Sequence, residues 1–212
     1  MTSGLPAEAA GTPLMRAGRA GCRFLLLQVA ALLACGPTLA ETRFSDSVVV
    51  TDAIDDDLYA AGGEVRIDGS IAGAATLAAG NAEISGDIEG DAIVAGGRVN
   101  LAGGVGDDLR AAGGNVQVTG FVTDQATIAG GSVTVGPGSA IGGRTWIAGG
   151  DVEMAGQVGD DLHVAAGTAV ISGRVVGNVE IAAREIRVEP GAVIGRDLIW
   201  PSHPPPPIAA AA

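Results

Sequence analysis

The chain repeats itself, and that constrains its fold more than any other feature. Asp56 to Gly69 reads DDLYAAGGEVRIDG, and Asp107 to Gly120 reads DDLRAAGGNVQVTG, the same template with its polar letters exchanged. DAIVAGGRVNLAG from Asp91, ATIAGGSVTVGPG from Ala126, RTWIAGGDVEMAG from Arg144 and DDLHVAAGTAVISG from Asp160 follow the same plan. NVEIAAREIRVEPGAVIG from Asn178 keeps it without the Gly pair. A fixed period of this length means stacked units, none of which can bury its apolar face alone. Counted from the first Gly of each small-residue corner (Gly62, Gly80, Gly96, Gly113, Gly130, Gly149 and Gly167), the units run 16–19 residues.

Within a unit the side chains alternate with period 2. After the corner, Val65 and Ile67, Val99 and Leu101, Val116 and Val118, Val133 and Val135, and Val152 and Met154 are spaced by polar residues. That is a strand with one buried face. Before the corner, Leu58 with Ala60, Ala92 with Val94, Leu109 with Ala111, Ala126 with Ile128 and Thr145 with Ile147 pair a larger residue with a smaller one, in either order. The swap keeps each layer at a similar volume, as a close-packed interior requires. A third apolar stretch recurs at Ile71, Ile88, Val105, Val122, Ile141, Val158 and Val176. Three short strands per turn, joined at glycines free to take positive φ, predict an all-β fold. It is a single-stranded parallel β-helix from Val48 to Trp200, with about eight to nine turns at ~4.8 Å each.

Composition agrees with a narrow core of small side chains: 35 Gly, 47% hydrophobic residues and only 3% aromatics. All the basic residues are Arg; beyond residue 40, 9 Arg face 23 acidic residues, a balance of −14. Nucleic-acid binding needs a basic footprint and is excluded on this balance, and charge-driven docking onto anionic lipid is disfavoured.

The first 40 residues read differently. Arg16, Arg19 and Arg23 precede the apolar run Phe24 to Cys35, followed by Gly36-Pro37 and Thr38-Leu39-Ala40. A basic region, a 12-residue apolar run and a small-residue site make a secretory signal, too short to span a bilayer, which takes ~20 residues. Cleavage is expected between Ala40 and Glu41, with Met15 as a second candidate start. Leu32-Leu33-Ala34-Cys35 also resembles a lipoprotein box, which would make Cys35 a lipidated terminus. Cys22 and Cys35 are the only cysteines, so cleavage after Ala40 leaves no disulfide and no Cys metal site. The organisation predicted is a signal peptide at 1–40, the β-helix at 41–200 and a Pro/Ala-rich disordered tail at 201–212.

The AAGGxVxIxG and GxIxGD units resemble those of the bactofilins, the polymer-forming cytoskeletal proteins, over Val48 to Trp200. The resemblance implies a right-handed β-helix that polymerises end to end without nucleotide. Typical members are cytoplasmic, whereas this chain carries an export segment, so an envelope version is expected, in the periplasm or anchored at Cys35. VGPGSAIGG from Val135 and VEPGAVIG from Val188 resemble hexapeptide turns of left-handed β-helix acyltransferases. Those enzymes use a histidine at a trimer groove.

The remaining candidates divide by chemistry. Asp55, Asp56, Asp57, Asp91, Asp107, Asp108, Asp124, Asp160, Asp161 and Asp197 recur at one corner, interrupted by Ala74, Arg144 and Asn178. This reads as a solvated acidic ladder in preference to a Ca²⁺ site. His163 takes the outward place of Tyr59 and Arg110, in a turn one residue longer, and His203 lies in the tail. Tyr59, Leu77, Ile93, Trp146 and Val164 are assigned to an outward apolar stripe that suits a monomeric binding module. Phe44, Val48, Val49 and Val50 at one end, and Leu198, Ile199 and Trp200 at the other, leave the ends without the polar caps that solenoids carry. Phe44, Val48, Val50, Leu198, Ile199 and Trp200 are therefore the expected self-association residues. The function expected is structural and not enzymatic, with no cofactor and no metal. Its first partner is another copy of the chain, and other envelope components follow.

Overall fold

A computed structural model describes residues 41–200. The expected signal segment with Cys35 and Ala40, and the tail with His203, lie outside the described residues. Strands β1 (Glu41–Phe44) and β2 (Ser47–Val50) open the coil. They are followed by β3 (Leu58–Ile67), β4 (Ala75–Ile84), β5 (Ala92–Leu101) and β6 (Leu109–Val118). Next come β7 (Phe121–Val122), β8 (Ala126–Val135), β9 (Ala140–Ile141), β10 (Thr145–Met154), β11 (Gln157–Val158) and β12 (Leu162–Ile171). Then β13 (Arg174–Val175), β14 (Val179–Val188), β15 (Val193–Ile194) and β16 (Leu198–Ile199) complete the described part. Every pairing is parallel. The long strands stack in the order β1-β3-β4-β5-β6-β8-β10-β12-β14-β16, with β2 also on β3, and the two-residue strands run β15-β13-β11-β9-β7. Isolated bridges from Ile54 through Ile71, Ile88 and Val105 to Val122 extend this second ladder. The fold is a parallel β-solenoid of about nine turns, as the repeat predicts.

The two segments flanking each corner form one ten-residue strand that bends at the corner, so a turn holds one long strand and one very short one. The register also corrects the count of turn length. Gly62 pairs with Ala79, Ala79 with Gly96 and so on to Ala183, a step of 17 residues except for 19 between Gly130 and Gly149. Two turns therefore have Ala79-Gly80 or Ala166-Gly167 where those at Gly62, Gly96, Gly113, Gly130 and Gly149 have Gly-Gly, and counting from Gly80 and Gly167 misplaces both frames by one. His163 accordingly sits in an ordinary 17-residue turn, 17 after Trp146. The two extra residues belong to Pro-Gly β-turns. Ser139 N–H donates to the Gly136 carbonyl at 3.0 Å, and Ala192 N–H to that of Glu189 at 3.0 Å, with Pro137 and Pro190 at the second turn position. Proline pre-sets φ there. The hexapeptide-like stretches are these two turns.

The corner glycines answer a different constraint from the one expected. No described glycine has φ in the left-handed range. A Cβ at Gly96, Gly113 or Gly150 would instead stand 2.7 Å from a carbonyl oxygen of the turn before. The crowding is worse at the next bend, where a Cβ on Gly86, Gly103, Gly120 or Gly173 would coincide with the carbonyl oxygen of its predecessor in the column. That column folds over the preceding turn: the Ile84 carbonyl accepts both Ala102 N–H at 2.8 Å and Gly103 N–H at 3.1 Å.

The core runs the length of the coil. The inward columns before and after the corner are buried as expected, but the third is completed by Val175 and not Val176, which is 53% exposed. Arg174-Val175 occupies the register of Gln157-Val158, so Val176 points out.

Candidate functional site

The two ends of the solenoid are built from different side chains. In the first turn, Glu41 is in register with Leu58 and Arg43 with Ala60, so both stand at inward positions. Arg43 Nε donates to Glu41 Oε1 at 2.7 Å, and Arg43 Nη1 to the Val49 carbonyl at 3.3 Å. A guanidinium at an inward position needs a partner, and Glu41 two residues away, on the same face, supplies it. This is a polar cap, and it corrects the expectation that neither end has one. Val48 and Val50 are 4% and 1% exposed, in register with Val65 and Ile67. They are core residues and offer no side-chain contact surface. Phe44 stays outward, 68% exposed.

The last described turn is apolar, and no described residue covers it. Its inward residues Val188, Ile194, Leu198 and Trp200 pack on the core but are only partly buried, and Ile199 is 47% exposed. Strand β16 pairs β14 only at Val179–Leu198 and Glu180–Ile199. From Ile181 to Val188 one edge of β14 has no paired strand among the described residues. Of the six self-association residues expected, the structure brings Leu198, Ile199 and Trp200 together here.

The outward stripe is relocated by the register. Leu77 and Val164 are 1% and 3% exposed, inward like Ala60 and Ile147. The outward column is Tyr59, Thr76, Ile93, Arg110, Thr127, Trp146, His163 and Glu180. Beside it, toward the corner, every turn from Ala61 to Ala182 carries alanine. Over the last four of these turns, Thr127, Trp146, His163 and Glu180 and the alanines from Ala129 to Ala182 bound a shallow groove of ≈ 310 Å³.

In-register parallel strands set side chains about one ring spacing apart, so neighbours in the tall column stack. The Trp146 and His163 rings lie 5.3 Å apart at 12°, and the Arg144 guanidinium is 5.5 Å from the indole centroid. His163 Nδ1 lies 3.1 Å from Glu180 Oε2. The imidazole is thus held between indole and carboxylate, and Thr127 supplies the one hydroxyl in the groove lining.

The acidic corner proves to be a set of ties between turns. Asp57 Oδ1 accepts the Ala74 amide at 2.8 Å, Asp91 Oδ1 that of Asp108 at 3.1 Å, Asp108 Oδ1 that of Gln125 at 3.1 Å, and Asp161 Oδ1 that of Asn178 at 2.8 Å. Each carboxylate satisfies a backbone donor one turn on, which such bends must do somehow. The Asn178 backbone amide, its side-chain amide, and the Arg144 and Arg196 charges hold the Asp161 carboxyl below the usual carboxylate range. Asp107, Asp108 and Asp124 gather carboxylate oxygens within 4.8 Å of one another. Asp108 is engaged at both oxygens, by Gln125 N–H and by Arg110 Nη2 at 2.9 Å.

No protein-family model, no curated protein and no solved structure matches this chain.

Proposed function

We propose that this chain is a structural protein that assembles end to end through its terminal turns in the bacterial envelope, as an exported counterpart of the bactofilins. The observation that carries the reading is the open C-terminal turn. Half-buried Val188, Ile194, Leu198 and Trp200, beside a strand edge unpaired from Ile181 onward among the described residues, make a template for another chain. The incoming turn would extend the parallel ladder by the same hydrogen bonds that join turns within the coil. Export rests on the basic, apolar and small-residue sequence of residues 1–40. Sedimentation and electron microscopy of the purified protein test the reading. Filaments that lengthen with concentration are expected, and monodisperse monomers across salt and pH overturn it.

A second reading, a monomeric binding module, is favoured by the Trp146–His163 stack beside the groove. It predicts a monomer whose partner is lost in Trp146→Ala.

A further inference from the structure

The long strands show two outward faces, one on each side of the corner, with the same backbone and opposite surfaces. After the corner, eight of the sixteen outward positions from Glu64 to Arg187 are charged, and Val170 is the apolar exception. Before the corner, the sixteen positions from Tyr59 to Ala182 include eleven that are alanine, Tyr59, Ile93 or Trp146, and two that are charged, Arg110 and Glu180. Tyr59, Ile93 and Trp146 are 36%, 43% and 39% exposed. Alanine is a poor strand former, so eight consecutive turns of it at an outward position are not explained by strand propensity. The adjacent column, on the same strands, varies freely.

We infer that this face is where two copies of the solenoid pack side by side, sheet against sheet. The inference rests on the reading of the chain as a self-associating structural protein. Three features select a second copy as the occupant. First, a tall column beside a flat one forms a step. A half-turn about an axis parallel to the coil sets the tall column of each copy over the alanine column of the other, turn for turn. Such isologous packing needs one patch that complements itself. Second, the chain is acidic, and this is the face on which two copies meet with few charges to desolvate or repel. Third, eight turns at ~4.8 Å and four residues at ~3.3 Å make a face of about 500 Å² per copy. Two such faces total about 1,000 Å², the threshold for a specific interface, and each is as large as the largest patch on a typical monomer, about 300–600 Å², which is often functional. The covered ring face of Trp146 also counts against a stacked small ligand: the indole already packs on His163.

The test is mass per unit length by electron microscopy, with sedimentation, on the whole chain expressed with its own leader. Two coils per cross-section are expected. Ala148→Glu and Ala112→Glu, each on the alanine column, should halve that mass, and Gln117→Glu on the other face should leave it unchanged. Matching circular dichroism and melting curves establish that the variants fold. Filaments one coil wide in the unsubstituted protein, or two-coil cross-sections in both alanine variants, overturn the inference and leave end-to-end assembly standing. Discrete dimers that never lengthen uphold this inference and overturn end-to-end assembly. Monomers overturn both. If added cell-wall polysaccharide shifts the Trp146 fluorescence of such monomers, the face belongs to a foreign ligand.

Discussion

The first and last turns share a backbone plan and differ in what occupies the inward positions. At the start, Glu41 and Arg43 stand over Leu58 and Ala60 as a mutual ion pair. At the finish, Val188, Ile194, Leu198 and Trp200 fill the same kind of position and are only partly buried among the described residues. A repeat cannot say where it stops, because each interior layer is satisfied by its neighbours. The terminal side chains make the difference: on the proposed assembly, the ion pair makes the joining of another turn less favourable, and hydrocarbon favours it. The molecule therefore has a capped end and an apolar, sticky end, and each can be altered separately.

The largest effect is expected at the sticky end. Leu198→Asp places a carboxylate in the column that Glu41 of an incoming copy would enter, and two carboxylates brought together away from water cost several kcal/mol. End-to-end association should weaken at least ~100-fold, since about 1.4 kcal/mol is a factor of ten. Sedimentation equilibrium reads this directly. Filaments of undiminished length would mean that the C-terminal turn is not a contact.

The capped end should respond in the opposite direction and less strongly. Replacing both Glu41 and Arg43 with Leu removes the cap and adds hydrocarbon at inward positions. The concentration at which filaments form should fall about tenfold, the equivalent of ~1.4 kcal/mol. Fold stability itself should move by less than ~1 kcal/mol, because the pair is about 40% exposed and screened by water. An unchanged assembly threshold would show that the ion pair is not what closes this end.

How far the sequence discloses these features depends on distance along the chain. Alternation over a few residues is local, so the solenoid, its inward columns and the open Leu198–Trp200 end are all legible. Register is not local. Where the corner reads Ala79-Gly80 or Ala166-Gly167, a frame anchored on glycine slips by one, and that slip alone turns Leu77 and Val164 outward. Anchoring on the inward pairs Ala82 with Ile84 and Ala169 with Ile171 recovers the step of 17. The cap was open to the same treatment: ETRF set 17 residues before LYAA shows Glu41 and Arg43 at inward places. It is hidden by its position beside the expected cleavage after Ala40, where those residues read as flanks. The carboxylate ties at Asp57, Asp91, Asp108 and Asp161 join residues 17 apart, and a pattern of like charges gives no hint of a backbone donor one turn on. Glycine shows that a bend needs a small residue, but not that a carbonyl of the turn below is the reason.

An interior change separates stability from assembly. Thr145 lies between the two ends with its hydroxyl buried and unpartnered among the described residues. Thr145→Val keeps the shape and removes an unsatisfied polar atom, so it should stabilise the fold by about 1 kcal/mol, raising the melting temperature by a few degrees. Filament length should not change. If it rises with the melting temperature, assembly follows core stability and not end chemistry, and the contrast between the ends loses its force.

Acid should distinguish the ends most gently. Asp68 near the start and Asp161 near the finish both have carboxyls held below their usual range, the first by bonds from Arg66 and Ser85, the second chiefly by the Asn178 backbone amide. A depressed folded-state value stabilises the fold fully above the unfolded value of about 4 and is lost as pH falls through the folded value. Neither group titrates near neutrality, so the effect is confined to the acid side. What is lost differs. Ser85 N–H donates to the Ile67 carbonyl at 2.8 Å and keeps its bond when Asp68 is protonated. Asn178 N–H donates to the Asp161 carboxylate itself, at 2.8 Å. Amide exchange, corrected for intrinsic rates between pH 6 and pH 3, should therefore show Asn178 losing protection while Ser85 holds. The turn that frays first would be the one leading to the sticky end, so acid should loosen the assembling end before the capped one. Equal protection of Asn178 at both pH values would remove that carboxylate from the account.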